Sequence, residues 1–234
     1  MSNRYGPRIV TDGLVLCLDA ADNNSYPGTG TTWGDLLTSG RTGTLTNGPT
    51  FNSSNRGSIV FDGTNDYINF GNTNIGVDLT DKSFCAWVYF GASINNPTGI
   101  IDKDFDNGAP NYGGWGFWVQ SNRKLWWWNH ANLDLLDDGS LTISTNIWTH
   151  IAVTYNYSTK TAIFYINGVL NSSKTNASIV EKSSSTSNLV IGCIRGAAGG
   201  FANGRISNVS AYNKVLSVTE ILQNYNTTKG RYNL

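Results

Sequence analysis

At 234 residues the chain is long for an average domain but ordinary for a single β-sandwich, and sixteen Lys and Arg balance sixteen Asp and Glu. Only 14% of residues are charged, Gly is plentiful at 26 and Pro scarce at 5, which is the composition of short strands joined by polar turns. It excludes a disordered chain and a helical bundle, and the lack of any Lys/Arg cluster excludes nucleic-acid binding by phosphate neutralisation. Near-zero net charge gives little colloidal protection and suits a protein that lives in an assembly.

Residues 1–13 read as an extended arm leading into a first strand at Leu14–Leu18. From Asp19 to Leu36 the chain is Gly- and Asn-rich and reads as an irregular loop anchored by Trp33 and Leu36. Gly43–Phe51 forms a strand-turn unit, and Ser58–Phe61 is expected to pair with Tyr67–Phe70 across Asp62–Asp66, whose carboxylates fix their own turn. Phe84–Phe90 is a strongly β-prone strand, and residues 91–114 are expected to form a long loop. Gly116–Gln120 and Leu125–Asn129 then make a hairpin across Ser121–Lys124, and Leu141–Ile143 is a further short strand.

The centre is Trp148–Leu170. Ile151, Val153 and Tyr155 alternate with His150, Ala152 and Thr154, a polar run follows, and a second strand at Thr161–Ile166 stops at Asn167-Gly168. Asn-Gly between β-branched and aromatic residues is the strongest short hairpin signal, because a type I′ turn needs positive φ at both positions. Asn188–Cys193 and Arg205–Tyr212 complete the strands. A helix over 217–226 closes the chain, with Ser217 and Glu220 as a capping box and Val218, Ile221, Leu222 and Tyr225 as its apolar stripe.

Four stretches in order carry a family resemblance: Phe61-Asp62-Gly63 with Asp66-Tyr67-Ile68, Ser83-Phe84 leading to Trp87-Val88, Trp148 to Val153 with Tyr165 to Gly168, and Gly204 to Val209 before Leu216-Ser217. Over roughly residues 58–220 the chain resembles the laminin-G-like, concanavalin A-like jelly-roll domains. The resemblance implies an all-β fold, an antiparallel jelly-roll β-sandwich with a short C-terminal helix, and a glycan or protein ligand on one face or rim. The opening, Leu18-Asp19-Ala20 with Tyr26-Pro27-Gly28, resembles jelly-roll proteins of bacteriophages and environmental bacteria, which implies a virion setting. Residues 14–234 are expected to form one domain behind the arm.

Cys17, Cys85 and Cys193 are far apart and odd in number, so they are read as free thiols, buried at Cys85 and Cys193. No apolar run approaches the roughly 18 residues of a membrane span, and the opening residues have no secretory h-region. The expectation is synthesis in a reducing host cytoplasm and delivery within a particle.

Chemistry is sparse. Glycosidases need two carboxylates, about 5 Å apart when retaining, and this chain has two glutamates, Glu181 in a Ser-rich loop and Glu220 in the helix cap. No strand-like segment offers two carboxylates at alternating positions, and Asp134, Asp137 and Asp138 read as turn residues. There is no nucleophile elbow, and His150 is expected to be structural, buried and hydrogen-bonded, so no catalytic residue is assigned. Asp102, Asp104 and Asp106 alternate as at the start of an EF-hand loop, but the glycine comes one place late and Gly113 stands where a closing Glu belongs. They are either a Ca²⁺ site or a solvated, turn-forming loop.

The tryptophans carry the expectation of recognition. Alternation puts Trp126 and Trp128 on one face and Trp127 with Leu125 on the other, so one face fills the core. The other is expected to be an aromatic surface with Trp115, Trp118, Tyr112 and Asn129 nearby, suited to glycan or protein contact, unless all five tryptophans pack inside. The chain is thus expected to be a non-enzymatic structural or adhesive component of a virus particle, a capsid decoration, fibre or tail protein. Its expected partners are other virion proteins, further copies of itself and host-surface glycans. A free bacterial carbohydrate-binding module or lectin is the alternative, and a glycosidase the third.

Overall fold

A computed structural model describes residues 8–37, 40–106, 112–129, 135–184 and 186–234, the side chains of Asp106 and Tyr112 excepted. In chain order the strands are β1 (Leu14–Asp19), β2 (Thr32–Gly34), β3 (Thr42–Thr46), β4 (Thr50–Asn52), β5 (Ser58–Asp62), β6 (Tyr67–Asn69), β7 (Lys82–Phe90) and β8 (Thr98–Asp106). They continue with β9 (Tyr112–Val119), β10 (Leu125–Trp128), β11 (Leu135–Leu136), β12 (Thr149–Asn156), β13 (Thr161–Ile166), β14 (Val169–Thr175), β15 (Val190–Ile191) and β16 (Asn203–Tyr212). One α-helix, α1 (Val218–Thr228), follows.

The strands form two antiparallel sheets packed as a jelly-roll sandwich. The first runs β14-β13-β12-β7-β16-β5-β4 with β1 beside β16, and the second runs β11-β10-β9-β8-β15-β6-β3-β2. Between them lie Phe84, Phe117, Trp127, Ile151, Tyr155 and Phe164, all buried. Each such side chain contributes about 1.5–3 kcal/mol by leaving water. The Phe84 ring stacks on Trp115 at 4.8 Å, which adds up to about 1 kcal/mol.

The central meander forms as its sequence predicts. Ile151, Val153 and Tyr155 enter the inter-sheet core, while Ala152 joins a second buried cluster with Val10, Tyr212 and Ile221. That second cluster exists because α1 covers the outer face of the first sheet, which is why β12 is buried on both sides. Asn167 and Gly168 take φ of 51° and 77°, as a type I′ turn requires, and the Asn167 side chain accepts from the His150 amide at 2.9 Å. In α1 the Ser217 hydroxyl accepts from the Glu220 amide at 3.3 Å and the Ser217 amide donates back to Glu220 at 2.8 Å. The buried face of α1 is Ile221 with Asn224, whereas Val218 and Leu222 are 50% and 42% exposed. Asn224 replaces an apolar residue because it accepts from the Val10 amide and donates to the Tyr212 hydroxyl, tying arm, helix and sheet together.

Four expectations are corrected. β5 and β6 do not pair: β5 joins β4 and β16 in the first sheet, and β6 joins β3 and β15 in the second. The turn between them carries the chain across the sandwich, held by the Asp62 amide donating to Asp66 at 3.0 Å. Residues 91–114 are not one long loop, since β8 and the start of β9 lie within them, and β2 lies within the irregular segment from Asp19 to Leu36. Leu141–Ile143 is not a strand; the Ile143 amide is taken by the Arg123 carbonyl at 3.0 Å.

Candidate functional site

The outer face of the second sheet gathers the acidic and aromatic residues that the sequence singles out. β8 and β9 pair so that Asp102 faces Gly116 and Asp104 faces Gly114, and β9 pairs with β10 so that Trp118 faces Trp126. Strand alternation turns Trp118, Trp126 and Trp128 away from the core. The Trp118 ring meets Trp126 edge-on at 4.9 Å and stacks with Trp128 at 5.5 Å. Gly116 makes the arrangement possible: a Cβ there would lie 2.2 Å from Trp118 Nε1 and 2.5 Å from Asp102 Oδ2.

The loop after β15 closes over this face. Arg195, Gly196 and Ala197 hold successive positive φ values of 53°, 60° and 81°. Two non-glycine residues in that region are costly, and the strain persists because the turn aims one amide at two carboxylates. Arg195 N–H reaches Asp102 Oδ1 and Asp104 Oδ1, each at 2.9 Å, and Arg195 Nε reaches Asp104 Oδ2 at 3.3 Å. Asp102 also accepts from Trp118 Nε1 at 2.7 Å and from the Asp104 amide at 3.2 Å. The guanidinium lies 5.8 Å from the Trp118 ring and 5.7 Å from the Trp128 ring. Asp102 and Asp104 are 0% and 1% exposed. Burial, and then the neighbouring Asp102 carboxylate, push the Asp104 carboxyl well above the usual range, and burial raises Asp102 as well. The single Arg195 amide bridges the two carboxyls, one oxygen of each at 2.9 Å.

Chemically this is a saturated anchor. Each of the four carboxylate oxygens already meets an N–H donor, so the pair does not fit Ca²⁺, and the expected EF-hand-like loop is instead a buried strand. Among the described residues no three His, Cys, Asp or Glu groups are placed to hold a metal. The expectation that no strand carries alternating carboxylates is also overturned, by Asp102 and Asp104 on β8. Asp106 ends β8 opposite Tyr112, and both side chains lie outside the described residues.

The tryptophan face is mostly covered. Trp118 and Trp128 are 1% and 2% exposed and pack with Ile194 of the covering loop; Trp126 and Arg195 remain partly exposed. Trp115 belongs to the inter-sheet core and Asn129 is buried beside Tyr155, so neither joins an exposed aromatic surface. Arg195 is the residue that sequence reasoning missed. Its only local signal is a single cation in the Gly/Ala run Arg195-Gly196-Ala197-Ala198-Gly199-Gly200.

Two further titratable clusters are structural. Lys82 is fully buried over the Trp127 and Tyr155 rings and lies 3.5 Å from Glu181, which also pairs with Lys160 at 2.9 Å and accepts from the Tyr155 hydroxyl at 2.8 Å. Burial pulls the Lys82 ammonium down. His150 is buried under α1 against Trp87, but its Nδ1 has no hydrogen-bond partner, contrary to expectation, and burial lowers its pKa to about 3. Cys17, Cys85 and Cys193 are free thiols, the latter two buried.

The family model described as the Concanavalin A-like lectin/glucanases superfamily matches residues 62–222. No curated protein sequence matches the chain. Among solved structures, the binding domain of Paraclostridial Mosquitocidal Protein 1 aligns at a TM-score of 0.66 with 18% identity, over 92% of this chain and 52% of that one. The botulinum neurotoxin serotype D binding domain aligns at 0.65 with 20% identity, over 92% and 52%. A sialidase from Trypanosoma rangeli, in complex with the inhibitor DANA, aligns at 0.65 with 14% identity, over 96% of this chain and 34% of that one. The chain therefore spans about half of each toxin binding domain and a third of the sialidase, and at these identities the likeness is one of lectin-like fold.

Proposed function

The chain belongs to the Concanavalin A-like lectin/glucanases superfamily, and from that footing we propose that it is a non-enzymatic recognition module, an adhesive and structural part of a virus particle that binds neighbouring subunits and host-surface glycans. The observation that carries the non-enzymatic reading is the state of Asp102 and Asp104. A glycosidase needs its two carboxylates on opposite sides of a sugar-sized gap. Here one amide bridges them beneath a covering loop, and both are buried with no gap for a sugar between them. At the surface of that face stand Trp126, its cross-strand partner Leu136 and the Arg195 guanidinium, an apolar pair and a cation suited to stacking and polar contact. The virion setting is supported by the opening residues Leu18-Asp19-Ala20 and Tyr26-Pro27-Gly28.

A second reading, a free bacterial lectin, is favoured by the toxin binding domains among the similar folds. Sedimentation of virions with the chain at fixed stoichiometry supports the particle reading; recovery as a lone monomer retarded on polysaccharide supports the lectin. Screening the purified chain against immobilised glycans, with Trp126→Ala as control, tests recognition at this face. Retention lost in the variant is the expected result. Release of sugar from sialylated or neutral oligosaccharides by the wild-type chain would overturn the non-enzymatic reading.

A further inference from the structure

A second feature lies away from the tryptophan face, on the side of the first sheet. A cleft of about 770 Å³ opens between the turn at residues 21–24, the 3₁₀ turn Ser54–Arg56 and the C-terminal end of α1. We propose that it binds a saccharide bearing one carboxylate, held by Arg56. This rests on the recognition reading above and adds a second contact on the other sheet.

An ion pair is built into the cleft lining. Arg231 donates to both oxygens of Asp19, at 2.8 and 2.9 Å, and to the Ser207 hydroxyl at 3.1 Å, so both charges are already spent. Arg56 is different. It is exposed at the cleft wall, and its guanidinium makes no hydrogen bond or ion pair among the described residues. Its backbone is left-handed at φ 72°, following Asn55 at 55°. Two clamps hold that conformation. Asn55 donates to the Arg231 carbonyl and accepts from Trp148 Nε1, both at 3.0 Å, and Gly57 packs so close that a Cβ would lie 2.3 Å from the Ala20 carbonyl. The fold thus maintains a strained turn that presents an unpaired cation to a cleft.

The other lining residues define the ligand. Asp22 Oδ1 is occupied by the Asn24 amide and side chain at 2.9 Å each, which leaves Oδ2 to accept a hydroxyl, and the Asn23 amide adds a donor and an acceptor. A planar guanidinium matches a carboxylate in a two-bond fork. A dianionic phosphate facing Asp22 is disfavoured by like charge, and an apolar ligand finds no apolar wall. A hydrophilic ring with one carboxylate and several hydroxyls satisfies every group.

The test is amide-resonance titration of the full chain with N-acetylneuraminate and with glucuronate, using galactose, acetate and phosphate as comparators. The acidic sugars are expected to shift residues 22–24, 56 and 227–231, with affinity falling about tenfold in Arg56→Gln and partly restored in Arg56→Lys. Shifts elsewhere with the cleft silent, equal binding by Arg56→Gln, or equal response to acetate or phosphate would each overturn the proposal. If immobilised glycans are retained in a Trp126-dependent way while Arg56→Gln changes nothing, the cleft alone is refuted. If no saccharide binds anywhere, the recognition reading falls with it.

Discussion

Trp118 donates its indole N–H to Asp102 at 2.7 Å, and both are buried although they lie on the sheet face turned away from the inter-sheet core. A further, polar-centred cluster therefore stands outside the inter-sheet core, sealed by the Ile194–Gly200 loop through Arg195.

The acidic pair should reveal itself by pH. Asp104 is raised in the folded state, so the folded chain keeps a proton that the unfolded chain releases above the ordinary value of 3.8. Stability from this group is full below that value and drains as pH rises through the folded pKa. Asp104→Asn replaces the titrating carboxyl with a neutral amide and should remove that decline, gaining on wild type as pH rises to 7. Asp102→Ala instead orphans Trp118 Nε1, while the Arg195 amide keeps Asp104 as its acceptor, and should cost about 1–3 kcal/mol. Urea unfolding across pH 3–8 measures both, and an Asp104→Asn variant that parallels wild type at every pH would refute the upward shift of Asp104.

His150 acts with the opposite sign. Its pKa falls from 6.5 to about 3 by burial, so the unfolded chain takes up a proton that the folded chain refuses. Stability is complete above 6.5 and is lost as pH falls towards 3, by about 1.4 kcal/mol per pH unit. His150→Leu should flatten the acid limb of the stability curve by that slope. An unchanged acid limb would show that the imidazole is solvated.

Gly116 tests the packing beneath the tryptophans. Its Cβ would meet Trp118 Nε1 at 2.2 Å and Asp102 Oδ2 at 2.5 Å, both fixed by a hydrogen bond and neither free to retreat. Gly116→Ala is expected to cost about 1–3 kcal/mol and to shift Trp fluorescence as the Trp118–Trp128 stack parts. A melting temperature equal to wild type would mean the ring has room that the structure denies it.

Local signals carried much of the architecture. The Asn167-Gly168 turn, the alternation of Ile151, Val153 and Tyr155, the division of Trp127 from Trp126 and Trp128, and the Ser217–Glu220 box all act over a few residues, and each appears in the structure. Where the local signal was ambiguous the reading went astray. Asp102-Lys103-Asp104 looks like a solvated loop because charged residues seldom line a buried strand, and Lys103 is tolerated there only because Asn72 and the carbonyls of Ser184 and Ser187 take its ammonium. The helix stripe failed at Leu222 because the first sheet offers Asn224 a set of polar partners on the neighbouring face.

From sequence alone, the period of apolar residues, the turn chemistry and the scarcity of reactive side chains determined an all-β sandwich with a capped helix. Tertiary structure decided which sheet each strand joined, sending β5 and β6 apart, and which residues met at a distance. Arg195 lies 93 positions from Asp102, and Arg231 lies 212 from Asp19. The spacing of residues along a strand is set by the backbone, but contacts between distant segments depend on how loops close over faces, and no local pattern encodes that closure.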